Sequence, residues 1–555
     1  MSEMENSLSS ADEAVGSTPS PREAIAALGL VSLDLDNPYD MDFSGAVESV
    51  RMSLTDHLQA EGIDLSGDSL LYLSRGSNKV RWFPDPATGR MMQKDEYAEN
   101  VPQAMIALCE QLGWTAIILY VGREPEFDES KPSFTELHPD TVVEIDYRAM
   151  GTQIGKFRFA TTEFAQDAWQ DARSDPDWQA LFSYKGLSYH DQLDRQMGNF
   201  VPTLTSTFIS EYARWTAVFD VLRPNAIIGG RLDNNSAACM AADRAGIVSA
   251  NIKLGIGEEM TALMYQRDRG GSFDERFMPD LQLIWGERQE AMLERRFGDA
   301  HPSRFIPVGR TRNDSFVGQN LAGERGVLKR HLGLGPDADI MVFGANHRSF
   351  FARDAGERDG ICCYSWASYS QTLRAMEAVA EARDHTHVVV KPHPSDDIPK
   401  IEALVESLGP RVHLVTNAAG LHNSEILADS ALFVSSVTSM FSEALVSGCL
   451  PVSLWLDDVN FLYEEGRRDV FDAMAVTVLS IAEMSETLGR YLDDPAARAA
   501  EAKELRSGLV EYFGAVDGHN AERSVRAVLH VLGESDPDIA KQVAQLPPIG
   551  HSGAN

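Results

Sequence analysis

Lys391 and His393 are the residues whose types and spacing most directly suggest chemistry, because they follow the β-branched run 388–390. Three consecutive valines suit a parallel strand covered on both faces, and Pro392 and Pro394 prevent its hydrogen-bond ladder from continuing. Ligands of open α/β sheets bind at the carboxyl ends of strands, where a cation and an imidazole suit a phosphate or its leaving oxygen. The alternative is a turn that exposes an ordinary lysine.

A second cluster of polar residues follows the predicted strand 431–434 and precedes a predicted helix. Hydroxyl groups at the start of a helix favour anions, together with the unpaired N–H groups and the helix dipole. Glu443 lies one turn into that helix, so its carboxylate could reach a ribose hydroxyl beside a bound phosphate. The alternative is a first-turn acid that the dipole favours. The hydroxyl-bearing residues are Ser435, Ser436, Thr438 and Ser439.

Composition limits the classes of partner. A formal net charge of -34 argues against nucleic acid or an anionic membrane surface, so a phosphorylated substrate must be met by local cations. No apolar stretch reaches the length of a membrane span, and the N-terminus lacks a basic start followed by an apolar region. We therefore expect a cytoplasmic protein without a transmembrane segment, although peripheral membrane association stays open.

The five cysteines form an odd set without a CxxC pair, so neither a disulfide framework nor a zinc site is indicated. We expect buried thiols instead. The two acidic residues of Asp34-Leu-Asp36 imitate a DxD metal motif, but they precede the predicted sheets and have no accompanying ligand cluster. No metal is assigned to them.

Strands and helices alternate along the chain, which indicates parallel sheets. The stretch 150–200 is polar and aromatic with weak periodicity, and it predicts no element. The predicted strands are 69–73, 114–121, 141–145, 226–228, 247–252, 281–285, 304–308, 340–343, 388–390, 432–434 and 452–454. The predicted helices include 101–112, 208–222, 289–297 and 520–532.

The strands fall into two consecutive series, and the loop 309–314 is the predicted hinge between them. The expected fold class is α/β of the GT-B type, with two doubly wound parallel-sheet (Rossmann-like) domains facing a central cleft. The predicted divisions are a disordered leader at 1–22, an N-terminal acceptor domain at 23–315, a C-terminal nucleotide-donor domain at 316–533 and a disordered tail at 534–555.

Several segments resemble a superfamily of GT-B glycosyltransferases from bacterial surface-polysaccharide synthesis. Lys391-Pro-His393-Pro is similar to the HP motif of sialyltransferases, Kdo transferases and CDP-glycerol glycerophosphotransferases, whose histidine meets the nucleotide phosphate. Ser435-Ser436 looks like their serine motif for the same phosphates, and Glu443 is similar to the helix acid that holds ribose. The segments LIWGERQEAM and VGRTRND resemble the paired segments before the hinge.

The loop 229–235 resembles the corresponding loop of the UDP-GlcNAc 2-epimerase, which places Asp233 in the cleft. Many relatives have a histidine or glutamate where this chain has Lys253, and this departure weakens the epimerase interpretation because proton removal and return need acids and bases there. Asp233 is the first candidate for a catalytic base and Glu258 the second, with an Asx turn at Asp233 as the alternative.

The loop after the first strand of the second domain supplies further groups for the donor. Gly344 begins this loop, Arg348 suits phosphate through its fork of donors, and His347 could assist the leaving group. The alternative is an arginine that only caps the fold.

The sequence thus predicts a metal-independent glycosyltransferase that moves a sugar from a nucleotide-activated donor, preferably a CMP-sugar, to a hydroxyl acceptor. The expected setting is the synthesis of a surface polysaccharide or glycoconjugate, and no cofactor is expected beyond the nucleotide-sugar co-substrate. Two alternatives stay open: a polyol-phosphate transferase or epimerase-like enzyme, and a GT-B module that binds glycans or assembly partners without turnover. The oligomeric state is not predicted.

Overall fold

The computed structural model describes most of the two predicted strand series. Scattered positions between 166 and 188 are also described. The main described ranges are 44–74, 81–84, 91–94, 101–120, 134–146, 200–230, 232, 235–252, 278–297, 303–314, 316–317, 325–344, 365–393, 396–416, 419–436, 438–456 and 473–547.

The first sheet has seven parallel strands, and its order reverses between the first and fourth of them. The strands are β1 (Ser69–Ser74), β2 (Thr115–Tyr120), β3 (Val142–Asp146), β4 (Ala226–Gly230), β5 (Val248–Ile252), β6 (Leu281–Ile284) and β7 (Arg304–Pro307). Their spatial order is β7-β6-β5-β4-β1-β2-β3, so chain order runs outward on both sides of the β1–β4 pair.

Both faces of this sheet are covered by helices, as the unbroken apolar runs of its strands require. Leu70 and Tyr72 of β1 join one core, while Leu71 and Leu73 join a second core on the opposite face. The helices of this half are α1 (Ser44–Ala60), α2 (Val101–Leu112), α3 (Phe134–Leu137), α4 (Phe200–Leu222), α5 (Ser236–Ala245) and α6 (Glu287–Phe297).

The second sheet has six parallel strands, which are β8 (Asp339–Phe343), β9 (Thr386–Val390), β10 (Val412–Leu414), β11 (Leu432–Ser435), β12 (Leu450–Leu454) and β13 (Val476–Val478). Their spatial order is β10-β9-β8-β11-β12-β13, and it reverses between β8 and β11. Its helices are α7 (Val327–His331), α8 (Trp366–Glu381), α9 (Ile398–Glu406), α10 (Asn423–Ala428), α11 (Met440–Val446), α12 (Ile481–Asp493) and α13 (Pro495–Phe513).

Two doubly wound parallel sheets confirm the predicted fold class. The predicted strands are found within two residues of their expected ends. The helix predicted at 208–222 begins earlier, at Phe200, because Pro202 falls in its first turn, where no intrahelical N–H is needed. The remaining strands form two antiparallel pairs, Arg81–Pro84 with Met91–Lys94 and Ser183–Tyr184 with Leu187–Ser188.

The C-terminal helices differ from the prediction. The last two helices, α14 (Asn520–Ser535) and α15 (Pro537–Gln545), pack against the core of the first sheet rather than the second. Val528 and Leu529 of α14 share this core with Leu70 of β1. The expectation of a disordered tail from 534 is therefore wrong as far as Gln545, because Ile539 of α15 is buried in the core that α14 shares with the first sheet.

Three smaller expectations concern the cysteines, the leader and the membrane. Cys109, Cys239 and Cys449 are buried free thiols, as predicted, and burial raises the pKa of Cys109 and of Cys449. The leader at 1–22, with Asp34 and Asp36 beyond it, lies outside the described residues. Among the described helices, we find none with the length and apolar character that crossing a membrane requires.

The packing of α14 predicts that it stabilises the first sheet. Leu529→Ala should lower the free energy of unfolding by about 2–5 kcal/mol, because Leu529 is fully buried in that core. Urea unfolding combined with amide hydrogen exchange in β1 measures the effect. The matched control is His530→Ala, whose side chain on the same helix is 71% exposed, with an expected change of about 0.5 kcal/mol or less. Unchanged exchange in β1 for Leu529→Ala would contradict this packing.

Candidate functional site

Three of the predicted donor-site residues meet where the order of the second sheet reverses. The Lys391 N–H donates to the Phe343 carbonyl at 2.9 Å, and the Gly344 N–H donates to the Val434 carbonyl at 3.0 Å. The Ser435 hydroxyl donates to the Gly344 carbonyl at 3.2 Å. The structure therefore brings Gly344, Lys391 and Ser435 together at the carboxyl ends of β8, β9 and β11, where open α/β sheets bind ligands.

Packing explains why a glycine begins the loop after β8. A Cβ atom at Gly344 would lie 2.4 Å from the Phe433 ring, which fills the sheet face beside it. Lys391 is only 7% exposed, and Ser435 and Ser436 are also buried. A cation held in such surroundings interacts more strongly with an anion than it would in water.

A tight turn fixes the backbone at His393. The His393 N–H donates to the Asp396 carboxylate at 2.7 Å, and the Asp396 N–H donates back to the His393 carbonyl at 2.9 Å. Asp397 then caps α9 by accepting from the Lys400 N–H at 3.4 Å. These contacts place His393 two residues beyond Lys391 at the same sheet edge, as the sequence predicts.

The hydroxyl-rich loop after β11 is held by contacts within it and with neighbouring elements. The Thr438 hydroxyl accepts from the Met440 N–H at 3.2 Å, while Ser439 precedes α11 without a side-chain cap. The Ser436 carbonyl accepts from the Ser453 hydroxyl of β12 at 3.3 Å. Of the predicted capping hydroxyls, that of Thr438 contacts the first turn of the helix.

Glu443 has partners that its position in the sequence does not predict. Its side chain is 0% exposed, and its Oε1 atom accepts from Arg310 Nη2 at 2.7 Å and lies 3.1 Å from Arg312 Nε. Its Oε2 atom is buried and has no hydrogen-bond partner among the described residues. The predicted ribose contact stays a prediction, but the carboxylate also closes a buried ion pair with the hinge segment.

Arg310 occupies the centre of this contact. Its Nη1 atom donates to the Ser439 carbonyl at 2.9 Å and to the Ser442 hydroxyl, and its guanidinium lies 5.2 Å from the centroid of the Trp285 ring. Burial lowers the pKa of Arg310 to about 10, against the opposing attraction of Glu443. Arg310 therefore keeps its charge at neutral pH.

The hinge segment is also bound to the start of α14. The Asp314 carboxylate accepts from Asn520 Nδ2 at 2.9 Å and from the Ala521 N–H at 2.7 Å, and Asn520 Nδ2 also donates to the Arg310 carbonyl at 3.2 Å. Burial raises the pKa of Asp314 to about 7, although the Ala521 N–H acts in the opposite direction. These bonds tie the segment between the two sheets to the helix that returns to the first sheet.

Five of the sequence-predicted residues at the cleft lie outside the described residues: Asp233, Lys253, Glu258, His347 and Arg348. The loop that carries Asp233 has one described anchor, Leu232. Its N–H donates to Asn251 Oδ1 at 2.7 Å, and Asn251 Nδ2 donates to Gln282 Oε1 at 2.8 Å. This buried amide pair fixes the chain beside β4, at the point where the order of the first sheet reverses.

The sequence did not predict the roles of Arg310, Arg312 and Asn251. A signal existed for the first two, since two arginines stand in the predicted hinge loop, but a local pattern does not show which carboxylate they meet. For a metal, the described residues offer no group of three or more histidine, cysteine, aspartate or glutamate side chains.

The two sheets and their order define the chain as having the GT-B fold class. No protein-family model and no curated protein matches it. A putative UDP-N-acetylglucosamine 2-epimerase from Listeria monocytogenes is a similar solved structure, at 12% identity and a TM-score of 0.48 over 85% of this chain and 98% of that chain.

Two further structures are similar to this chain. The UDP-GlcNAc 2-epimerase from Neisseria meningitidis bound to UDP-GlcNAc has 12% identity and a TM-score of 0.46, covering 83% of this chain and 99% of that one. The sucrose-phosphate synthase from Thermosynechococcus elongatus has 14% identity and a TM-score of 0.42, covering 84% and 100%.

The raised pKa of Asp314 predicts a specific pH dependence of stability. The folded protein keeps the proton up to about pH 7, whereas the unfolded chain loses it near the ordinary pKa of 3.8, so this carboxyl group makes the protein less stable as pH rises through that window. Asn at this position cannot ionise. The free energy of unfolding of the parent, relative to that of Asp314→Asn, should fall by about 3 kcal/mol between pH 5 and pH 8.

Urea unfolding at several pH values measures this difference. Asp538→Asn is the matched control, because it makes the same substitution at an exposed position on α15, away from the hinge segment. If the free energy of unfolding changed with pH in the same way for the parent and for Asp314→Asn, the raised pKa of Asp314 would be contradicted.

Proposed function

We propose that this chain is a glycosyltransferase of the GT-B type, which moves a sugar from a nucleotide-activated donor to a hydroxyl acceptor. The observation that carries the proposal is the meeting of Lys391, Gly344 and Ser435 at the switch point of the second sheet. A buried cation and hydroxyl groups at the carboxyl ends of these strands suit the phosphates of a nucleotide.

Charge supports the assignment of the donor phosphates to this edge. A chain with a net charge of -34 repels a nucleoside diphosphate except where local cations offset that charge, and Lys391 supplies a cation at this edge. His393 is proposed to stabilise the negative charge that grows on the leaving nucleotide. Ser436, Thr438 and Ser439 offer further donors from the loop after β11. His347 and Arg348 are proposed to add charge from the loop after Gly344.

Glu443 is proposed to hold the ribose. Its Oε2 atom is buried without a hydrogen-bond partner among the described residues, and an unpaired buried carboxylate oxygen costs free energy that a sugar hydroxyl would recover. Since Arg310 and Arg312 hold Oε1, only the second oxygen is left for a ligand.

Asp233 is proposed as the base on the acceptor side, with Glu258 as the second candidate. The acceptor hydroxyl oxygen forms a bond to the anomeric carbon as its proton passes to the carboxylate. The bond from that carbon to the donor phosphate oxygen breaks, and the nucleotide leaves with the electron pair. The anchored Leu232, one residue before Asp233, supports this placement.

A cytidine nucleotide is the proposed leaving group, and a cytoplasmic step in the synthesis of a surface polysaccharide or glycoconjugate is the proposed setting. The choice of a cytidine nucleotide rests on two motifs, Lys391-Pro-His393-Pro and Ser435-Ser436. They resemble the HP and serine motifs of sialyl-, Kdo- and CDP-glycerol transferases. No metal is proposed, because Lys391 and the hydroxyl-rich loop supply the groups that would neutralise the phosphates.

The proposal predicts that CMP, CDP or UDP stabilises the protein in the presence of EDTA. Lys391→Gln should lower the affinity for the most tightly bound of these nucleotides by about 10- to 100-fold, because it removes a charge-assisted contact to phosphate. Thermal shift and calorimetric titration measure the two effects. The matched control is Lys329→Gln, which removes the same charge from α7, where the ammonium group binds the Pro336 carbonyl at 2.7 Å.

Two results would contradict the proposal. Binding that requires a divalent metal would show that the phosphates are neutralised in another way. Formation of the C2 epimer from UDP-GlcNAc alone would show that the protein is an epimerase, despite Lys253 at the position where relatives have an acid or base.

A further inference from the structure

Arg310 connects the hinge segment to the loop proposed to hold the donor. It follows the last strand of the first sheet by three residues, yet its side chain ends among acceptors of the second sheet. The acceptors are the Ser439 carbonyl at 2.9 Å, Ser442 Oγ and Glu443 Oε1 at 2.7 Å. All three belong to the five residues at the start of α11 and just before it.

The backbone of Arg310 is held as firmly as its side chain. Its N–H donates to the Phe513 carbonyl at 2.8 Å, and its carbonyl accepts from Asn520 Nδ2 at 3.2 Å. Trp285 covers the guanidinium and also stacks on Phe513, with ring centroids 5.2 Å apart. The contacts between the two sheets therefore fix the position of the guanidinium. The start of α11 is positioned in turn by its hydrogen bonds to that guanidinium.

Among the described residues, side-chain capping at the start of α11 is sparse. Ser439 makes no side-chain cap, while the Thr438 hydroxyl accepts from the Met440 N–H and Ser442 Oγ donates to the Ser439 carbonyl at 3.0 Å. Because a guanidinium presents several donors in a rigid fork, one arginine can orient the Ser439 carbonyl, Ser442 and Glu443 together. A lysine would keep the charge but could not reproduce the fork.

We propose that Arg310 is a positioning residue for nucleotide binding, which sets the loop 435–439 and the carboxylate of Glu443 in the geometry that receives the phosphates and ribose. This inference rests on the proposed function, since it assumes that the loop binds a nucleotide. It adds that the affinity of the second domain for its donor depends on a residue of the hinge segment.

The first test compares Arg310→Lys with the parent by calorimetric titration of CDP and UDP, well below the melting temperature of either protein. Arg310→Lys should bind the nucleotide about tenfold more weakly, because the loop is no longer fixed before the ligand arrives. Ser442→Ala removes only one of the acceptors and should weaken binding by about two- to threefold. It also serves as the variant to use if Arg310→Lys does not fold.

Arg214→Lys is the matched control. Arg214 is a buried arginine of α4 that pairs with Glu211, and burial lowers its pKa to about 10, as for Arg310. Both substitutions should lower the melting temperature, but Arg214→Lys should leave nucleotide affinity within about twofold of the parent. A purely structural role of Arg310 would make the two variants alike.

A second measurement does not require any ligand. Hydrogen exchange at the Met440 and Phe441 amides should become at least about tenfold faster in Arg310→Lys, while exchange within α9 stays as in the parent. Unchanged affinity in a folded Arg310→Lys variant of a protein that binds nucleotide would overturn the inference and leave the proposed function intact. A parent that binds none of CMP, CDP and UDP would overturn both.

Discussion

The buried ion pair between Arg310 and Glu443 is the constraint on which the arrangement of the two sheets depends. Arg310 is 1% exposed and Glu443 0% exposed, so neither charge is solvated by water. Removing one partner of such a pair typically costs about 3–5 kcal/mol, because the other charge is left buried and alone. The hinge segment and the start of α11 must therefore stay together for the fold to be stable.

The surrounding contacts serve the same requirement. Gly309 adopts a φ of 95°, and a Cβ atom there would lie 1.9 Å from the Asn520 side-chain oxygen, so no other residue fits between the hinge and α14. Asp314 accepts from Asn520 and from the Ala521 N–H. The returning helix thus holds the hinge segment from one side while Glu443 holds it from the other. The start of α11, which follows the loop proposed to hold the donor, is thus tied to the first sheet through this segment.

The sequence predicted the sheets well because buried parallel strands leave a local signature of β-branched and aliphatic runs that end at polar loops. Lys391 and Ser435 were placed correctly at strand ends for this reason. The amphipathic pattern of 520–532 predicts a helix. Periodicity shows that one face of this helix is apolar, but it does not show which sheet that face covers. The partners of Glu443 were missed because a contact between residues more than a hundred positions apart leaves no trace in either segment.

The central claim is that the edge formed by β8, β9 and β11 binds the phosphates of a nucleotide. A crystal structure of the protein with CDP or UDP tests it most directly. The account predicts that phosphate oxygens lie within about 3.2 Å of Lys391 Nζ and of a donor in the loop 435–439, with a ribose hydroxyl at Glu443 Oε2. A nucleotide bound with its phosphates at the edge of the first sheet, or remote from Lys391, would contradict the account.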